Sequence, residues 1–294
     1  MIDESPGGFF LKIISLVFVS TLFSFSLFSQ AQAESTFAFA KRVNTYFNVR
    51  SYEFPPRSQR HFDFYLMGGV LTTTLRNSAT IVVTPGLFGI TNIYAANVRS
   101  TYNPLGGIGL GYAFHPLTSD GRSRAKIVLG VSGYYLDLGD LKGLEQTPSP
   151  TLVNYQFSAH SLAAMFESRF VLTVSPWQPF IVAGIGEAWN TLDDYKEAPT
   201  AGPADQQVNF NNGTLSSLAY QLGLGVQYQF AVNNYYNIAY SLALSYNYFS
   251  LGSANLGAGS EVRSGATHPI PAGSLATGNL TAQSVLISLT TSFN

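Results

Sequence analysis

The chain has 294 residues, of which 46% are hydrophobic and 14% aromatic but only 11% are charged, where an average soluble domain is roughly 25% charged. Its 15 Lys and Arg against 16 Asp and Glu give a net charge of −1, so no basic field exists to hold nucleic acid. With no Cys, a disulfide-stapled module and a Cys-ligated metal centre are excluded, whereas a membrane protein is not.

Residues 13–28 (IISLVFVSTLFSFSLF) form an apolar run preceded by Lys12 and followed by Ala31, Gln32 and Ala33. That order of cation, apolar core and small-x-small site predicts a secretory signal peptide over 1–33, cleaved after Ala33. The run is shorter than the ~20 residues a spanning helix needs. Asp3 and Glu4 make the leading decapeptide acidic, against the usual signal, and point to translation starting at Leu11. Residues 34–60 carry Lys41, Arg42, Arg50, Arg57 and Arg60 against Glu34 and Glu53. They read as a basic periplasmic segment, either a tether or a stretch folded into the mouth of the downstream domain.

From residue 61 onward the pattern has period two. The predicted strands are 61–75, 107–114, 124–137, 153–172, 178–189, 218–230, 236–248 and 284–293. In the second, sixth, seventh and eighth, one face is Leu, Ile, Val, Tyr or Phe throughout, apart from Thr291. The opposite face is Gly, Ala, Ser, Thr, Asn or Gln throughout, apart from Leu286. A half-buried soluble sheet would show Lys and Glu on its wet side, and here that side has no charge. Bulky side chains pointing into lipid and small polar ones into a narrow lumen satisfy the pattern, and closure pairs every backbone group. The fold class is therefore all-β, an eight-stranded antiparallel transmembrane up-and-down β-barrel over 61–294. Ala125, Ile127, Leu129, Val131, Gly133 and Tyr135 are expected outward in the third strand. In the fourth, Tyr155 and Phe157 are odd-numbered whereas Leu162, Ala164, Phe166 and Phe170 are even, which predicts a β-bulge near His160 to keep one lipid face. The faces of the first and fifth strands are not assigned by parity.

Connections at 115–123, 173–177 and 231–235 are short, and those at 76–106, 138–152, 190–217 and 249–283 are long. Strict alternation predicts periplasmic turns, extracellular loops and both termini in the periplasm. Aromatics fall at both strand ends, as interfacial girdles require: Tyr112, Phe114, Trp177, Tyr228, Phe230, Tyr236 and Phe293 below, with Tyr135, Tyr155, Trp189, Tyr220, Tyr246 and Tyr248 above.

The segments GGIGLGYAF (Gly106 to Phe114), PFIVAGIGEAW (Pro179 to Trp189), GLGVQYQF (Gly223 to Phe230) and the last strand, with Val285, Ile287, Leu289 and Phe293, resemble the small outer-membrane β-barrels of the OmpA-like and opacity-protein type. The resemblance implies a Gram-negative outer membrane, delivery by a cleaved signal peptide, contact with outer-membrane lipids and recognition by the barrel-assembly machinery. Asn294 departs from the terminal Phe of the assembly signal. No peptidoglycan-binding domain follows the last strand, so wall anchoring is not implied.

Chemistry is sparse. Gly107/Gly109, Gly184/Gly186 and Gly223/Gly225 lack the third glycine of a dinucleotide loop and make room in the lumen. His61, His115, His160 and His268 have no metal-type spacing, and no cofactor is expected. Ser158 and His160 share a strand face, but the next acid on that strand, Glu167, is roughly 23 Å away at ~3.3 Å per residue. Both read as polar lumen residues beside the bulge, and no enzyme is expected. Lys126, Glu167 and Arg169, near the periplasmic ends of adjacent strands, form a candidate lumen ion-pair cluster, with a proton or ion relay as the alternative. The first loop is too apolar for a solvated loop (IVVTPGLFGI, Ile81 to Ile90), and Leu87, Phe88 and Ile90 are candidate apolar contacts. Three functions remain, in order: a surface-exposed structural or adhesin-like protein whose loops bind a host, phage or cell-surface partner; a conduit for small hydrophobic molecules; a lipid-modifying enzyme.

Overall fold

The computed structural model describes residues 60–75, 78–82, 91–96, 102–116, 125–146, 152–173, 176–199, 206–233, 238–263 and 266–293. The expected signal peptide, residues 34–59, and Leu87, Phe88 and Ile90 lie outside the described residues. The chain divides into two compact units, residues 52–230 with 239–294 and residues 1–51 with 231–238; the barrel belongs to the first.

The strands in chain order are β1 (His61–Leu75), β2 (Ser78–Val82), β3 (Thr91–Ala96), β4 (Tyr102–Phe114), β5 (Ala125–Gln146), β6 (Leu152–Leu172) and β7 (Trp177–Pro199). They continue with β8 (Gln206–Phe210), β9 (Gly213–Asn233), β10 (Ile238–Gly252), β11 (Gly259–Arg263), β12 (Ala266–Ile270) and β13 (Leu280–Phe293). Eight of them, β1, β4, β5, β6, β7, β9, β10 and β13, pair with their neighbours in chain order, and the β1–β13 pairing closes the ring. The β2–β3 hairpin continues the sheet beside the far end of β5, where Ile93–Ala96 face Gly143–Gln146. Strands β8, β11 and β12 form a second, three-stranded sheet. Among the described residues no helix is long and apolar enough to cross a membrane.

The bulky face points out, as expected. Ile108, Leu110, Leu222, Leu224, Leu242, Leu244, Ile287 and Val131 are all exposed on the barrel exterior, while Ala243, Ser241, Ser288 and Gln221 are buried in the lumen. The two strands without assigned faces resolve with Phe62, Phe64 and Leu66 outward on β1, and Ile181, Ile185 and Trp189 outward on β7. Leu286, the exception on the small face, is buried in the lumen opposite Gly69. Trp177 and Trp189 mark the two edges of the apolar band on β7. Twelve residues at ~3.3 Å span ~40 Å along a strand, which at the usual tilt is about 30 Å of membrane. Phe62 meets Tyr112 edge-on at 5.3 Å and Trp177 meets Tyr228 at 4.7 Å at one rim, consistent with a girdle.

Three expectations are corrected. The loops expected over 138–152 and 190–217 are mostly strand, because β5 and β6 run on to Gln146 and from Leu152, while β7 runs on to Pro199 and β8 and the start of β9 follow. β6 carries no phase change: its odd residues from Val153 to Val171 are buried throughout, and Tyr155 and Phe157 point inward rather than into the upper girdle. The bulges lie instead in the flanking strands. The register slips between Asp137 and Gly139 on β5, where Gly139 has φ 77°, and β7 takes up one extra residue between the partners of Gln156 and Ser158, where Asp194 has φ 53°. Third, Ser158 and His160 lie on the outside of the barrel, not in its lumen, since they share β6's outward face with Leu162 and Phe166.

The physical reason is a change of solvent along one strand. Below Tyr135, Leu162 and Trp189 the exterior is apolar apart from Glu187 and small residues such as Ser168; above them the outward residues include Asp140, Lys142, Asn154, Gln156, Ser158, His160 and Asp193, and the inward ones Leu138, Leu141, Tyr155, Phe157, Leu192 and Tyr195. The barrel therefore leaves the membrane as a β-structure with a polar exterior and a largely apolar interior, here called the head.

Candidate functional site

An eight-stranded barrel is only wide enough for side chains to fill its interior, and the lumen is filled in two layers. In the membrane layer, Asp63 is fully buried and gathers four partners: Lys126 Nζ at 2.9 Å, His61 Nε2 at 3.2 Å, the Ser292 hydroxyl, which donates at 2.5 Å, and the Tyr65 hydroxyl, which donates at 3.2 Å. One carboxylate thus ties β1, β5 and β13 together across the closing seam. Glu167 accepts hydrogen bonds from the Ser132 hydroxyl at 3.0 Å and from the Tyr134 hydroxyl. Arg169 lies between two rings, its Cζ 4.4 Å from the centre of Tyr65 and 4.8 Å from that of Phe180. Gln221 donates to Asn247 at 3.1 Å, which donates in turn to Ser245 at 2.9 Å.

Lys126, Glu167 and Arg169 all line the lumen, but each takes a different partner and they do not pair with one another. Asp63 was missed because β1 also turns Met67 and Leu71 inward, which blurs its parity; the alternating His61, Asp63 and Tyr65 are the signal that could have found it.

Glycines set the room available. A Cβ on Gly109 would sit 2.5 Å from Ser132 Oγ, and one on Gly223 would sit 2.1 Å from Asn247 Oδ1. Gly68, on the lipid face, has nothing within 4 Å. Gly109→Val is expected to cost ~1–3 kcal/mol through overpacking and Gly68→Ala almost nothing, read as urea midpoints of the refolded barrels; equal effects would refute the filled lumen.

The second layer is apolar. Tyr134, Phe249, Leu71, Leu136 and Leu280 are almost completely buried at mid-barrel, with Tyr134 edge-on to Phe249 at 5.3 Å. Above them, Tyr155 stacks on Phe157 at 6.0 Å and on Tyr195 at 6.4 Å, and Tyr195 meets Phe210 edge-on at 4.9 Å. Past Gly252, where φ is 76°, the chain packs Ala254 and Leu256 into the same buried cluster as Leu192 and Phe249 and so covers this end. Asn190 holds it there, donating to the carbonyls of Leu251 at 2.7 Å and Ser253 at 3.0 Å. Thr277 closes the fold-back through its hydroxyl, 2.9 Å from the Ala254 N–H and 3.2 Å from the Ala254 carbonyl.

Three glutamates, on β5, β7 and β11, converge in the head. Glu197 accepts from the Tyr195 hydroxyl at 2.5 Å and from the Val208 N–H at 2.8 Å, and Glu145 and Glu261 are its neighbours. Burial, reinforced by the charge of Glu261, holds the Glu197 carboxyl above its ordinary range although the hydrogen bonds from Tyr195, Val208 and Glu145 oppose it. Burial and Glu145 push the Tyr155 hydroxyl up to about 12. A carboxyl whose folded pKa is raised stabilises the fold at low pH and loses that contribution as pH rises through the folded value. The cover around β8 and β11 is therefore expected to exchange its amide protons more slowly, after correction for intrinsic rates, at pH 5 than at pH 8. Glu197→Gln should flatten the difference, and greater protection at pH 8 would reverse the assignment.

On the outer face of the head, Ser158 donates to Asp140 at 2.9 Å, Gln156 donates to the same carboxylate at 3.0 Å, and His160 Nδ1 lies 3.6 Å from Asp193. A nucleophile needs its base within reach of its proton, and here the serine proton is held by Asp140. Among the described residues no group of three or more His, Cys, Asp or Glu could hold a metal ion.

No protein-family profile and no curated protein sequence matches the chain. Solved structures similar to it include outer-membrane proteins. The outer membrane protein OprG from Pseudomonas aeruginosa aligns at 12% identity and a TM-score of 0.40, over 82% of this chain and all (100%) of that one. Neisserial surface protein A aligns at 12% identity and a TM-score of 0.33, over 77% and 95%. The outer membrane protease OmpT from Escherichia coli aligns at 9% identity and a TM-score of 0.33, over 83% and 99%.

Proposed function

We propose that the chain is an outer-membrane surface protein, non-catalytic and adhesin-like, that displays its head to a partner on a host cell, phage or neighbouring bacterium. The observation that carries this reading is the head itself. β5, β6 and β7 continue about ten residues past the aromatic level, change their interior from polar to apolar and support a second sheet. A membrane anchor or a pore has no use for so much ordered structure beyond the bilayer, whereas a rigid scaffold that holds binding surface clear of it does. The final strand, with Val285, Ile287, Leu289 and Phe293 outward, suits insertion by the barrel-assembly machinery.

The test compares cells that produce the protein with cells that lack it on a panel of surface glycans and proteins. Retention on at least one member, abolished by excess purified protein in maltoside micelles, is expected; equal retention of both cell types across the panel would sink the reading. The packed middle of the lumen speaks against a conduit. Ion current in planar bilayers should be negligible, and large steady conductance would instead favour passage of solutes.

A further inference from the structure

Glu187 is the one Asp, Glu, Lys or Arg on the barrel exterior between the two aromatic levels among the described residues. It points outward from β7 one alternation below Trp189, is exposed, and has no hydrogen-bond or ion-pair partner among the described residues. Its cross-strand neighbours are Ala164 on β6 and Leu218 on β9. Trp189 lies two residues above it on the same face, and Tyr220 sits diagonally below, opposite Ile185. Carboxylates on a lipid face carry a depth-dependent cost, and ionisable groups in such places read as functional.

The same exterior carries a depression of about 460 Å³ lower on the wall, lined by Ser168, Ile181, Ala183, Leu222, Leu224 and Tyr246. It exists because Ser168 and Ala183, paired across β6 and β7, are small where their neighbours are large. Ala183 and Glu187 are four residues apart on β7, ~13 Å at ~3.3 Å per residue. Between them lies only Ile185 on that face.

We propose that this wall binds an amphiphile with an ammonium head group and a single alkyl tail. Charge complementarity selects the occupant: an unpaired carboxylate flanked by an indole and a phenol matches an ammonium ion, which takes a carboxylate and aromatic faces together. An anionic head group is repelled by Glu187, and a neutral one gains no charge attraction from it. The tail runs down over Ile185 into the depression, at a depth where lipid chains lie. The site is on the outside of the barrel and independent of whatever partner the head engages.

The experiment uses the full chain in dodecyl maltoside micelles, titrated with dodecyltrimethylammonium or dodecyl sulfate and followed by native mass spectrometry. Fluorescence of Trp189 in a Trp177→Phe background reports contact at the head-group end. One retained ammonium amphiphile per chain is expected, with a saturable change in Trp189 emission and no retention of the sulfate. Glu187→Gln should weaken retention at least tenfold, and Ala183→Phe should weaken it by filling the tail seat. Equal retention of the two amphiphiles by the parent protein, or undiminished binding by Glu187→Gln, would overturn the proposal. The parent comparison decides alone if a variant fails to fold.

Discussion

Replacing Lys126 with methionine should cost the barrel ~3–5 kcal/mol, the usual penalty for leaving one member of a buried ion pair without the other. Asp63 is fully buried and its Nζ partner sits at 2.9 Å; the carboxylate would retain only His61, Ser292 and Tyr65. Asp63→Asn should cost a comparable amount, because it strands the ammonium group. The double variant Asp63→Asn with Lys126→Met removes both charges and should recover a large part of either single loss. Urea midpoints of the refolded proteins give the four corners of the cycle. Additive losses would mean that the two side chains do not depend on each other and that the lumen is wetter than its packing implies.

The second large effect belongs to the opposite surface. Leu242 and Leu244 are half exposed on the outside of β10, with Ala243 buried between them in the lumen. Arginine near the bilayer midplane of such a barrel costs ~2–4 kcal/mol, so Leu244→Arg should cut the yield of heat-modifiable, folded protein in lipid vesicles. Ala243→Ser should pass almost unnoticed, since Ser241 already shares its face. A lipid-soluble photoprobe should label positions 242 and 244 and spare 243. Labelling of 243 alone would mean the barrel is inside out.

Much of the architecture was legible in the sequence because a membrane barrel inverts the usual rule in a simple way. Ile108, Leu222, Leu244 and Ile287 announced the lipid face through parity alone, and strand number came from counting such segments. Parity failed where the surroundings changed while the strand did not. Tyr155 and Phe157 are apolar and odd-numbered, Phe166 and Phe170 apolar and even-numbered, and a single environment would demand a bulge between them. β6 has none; its upper half stands in water and turns its apolar side inward. Partners in the lumen were harder still. Nothing local to Lys126 announces Asp63, which lies 63 residues away and meets it only because β1 and β5 both flank β4. Glu187 was in plain view within PFIVAGIGEAW, but its meaning depended on knowing which way β7 faces.

The seam between β1 and β13 runs in unbroken register from Phe62 opposite Phe293 to Leu75 opposite Leu280. Its two edges are more than 200 residues apart in the chain, so the contacts that complete the ring are also those of greatest sequence separation. Pairings of that kind are slow, because loop-closure entropy is spent before any contact rewards it. Until the seam zips, both edges expose unpaired backbone groups that lipid cannot satisfy. Insertion and closure are therefore coupled, and what couples them is the meeting of the first and last strands of the barrel, β1 and β13.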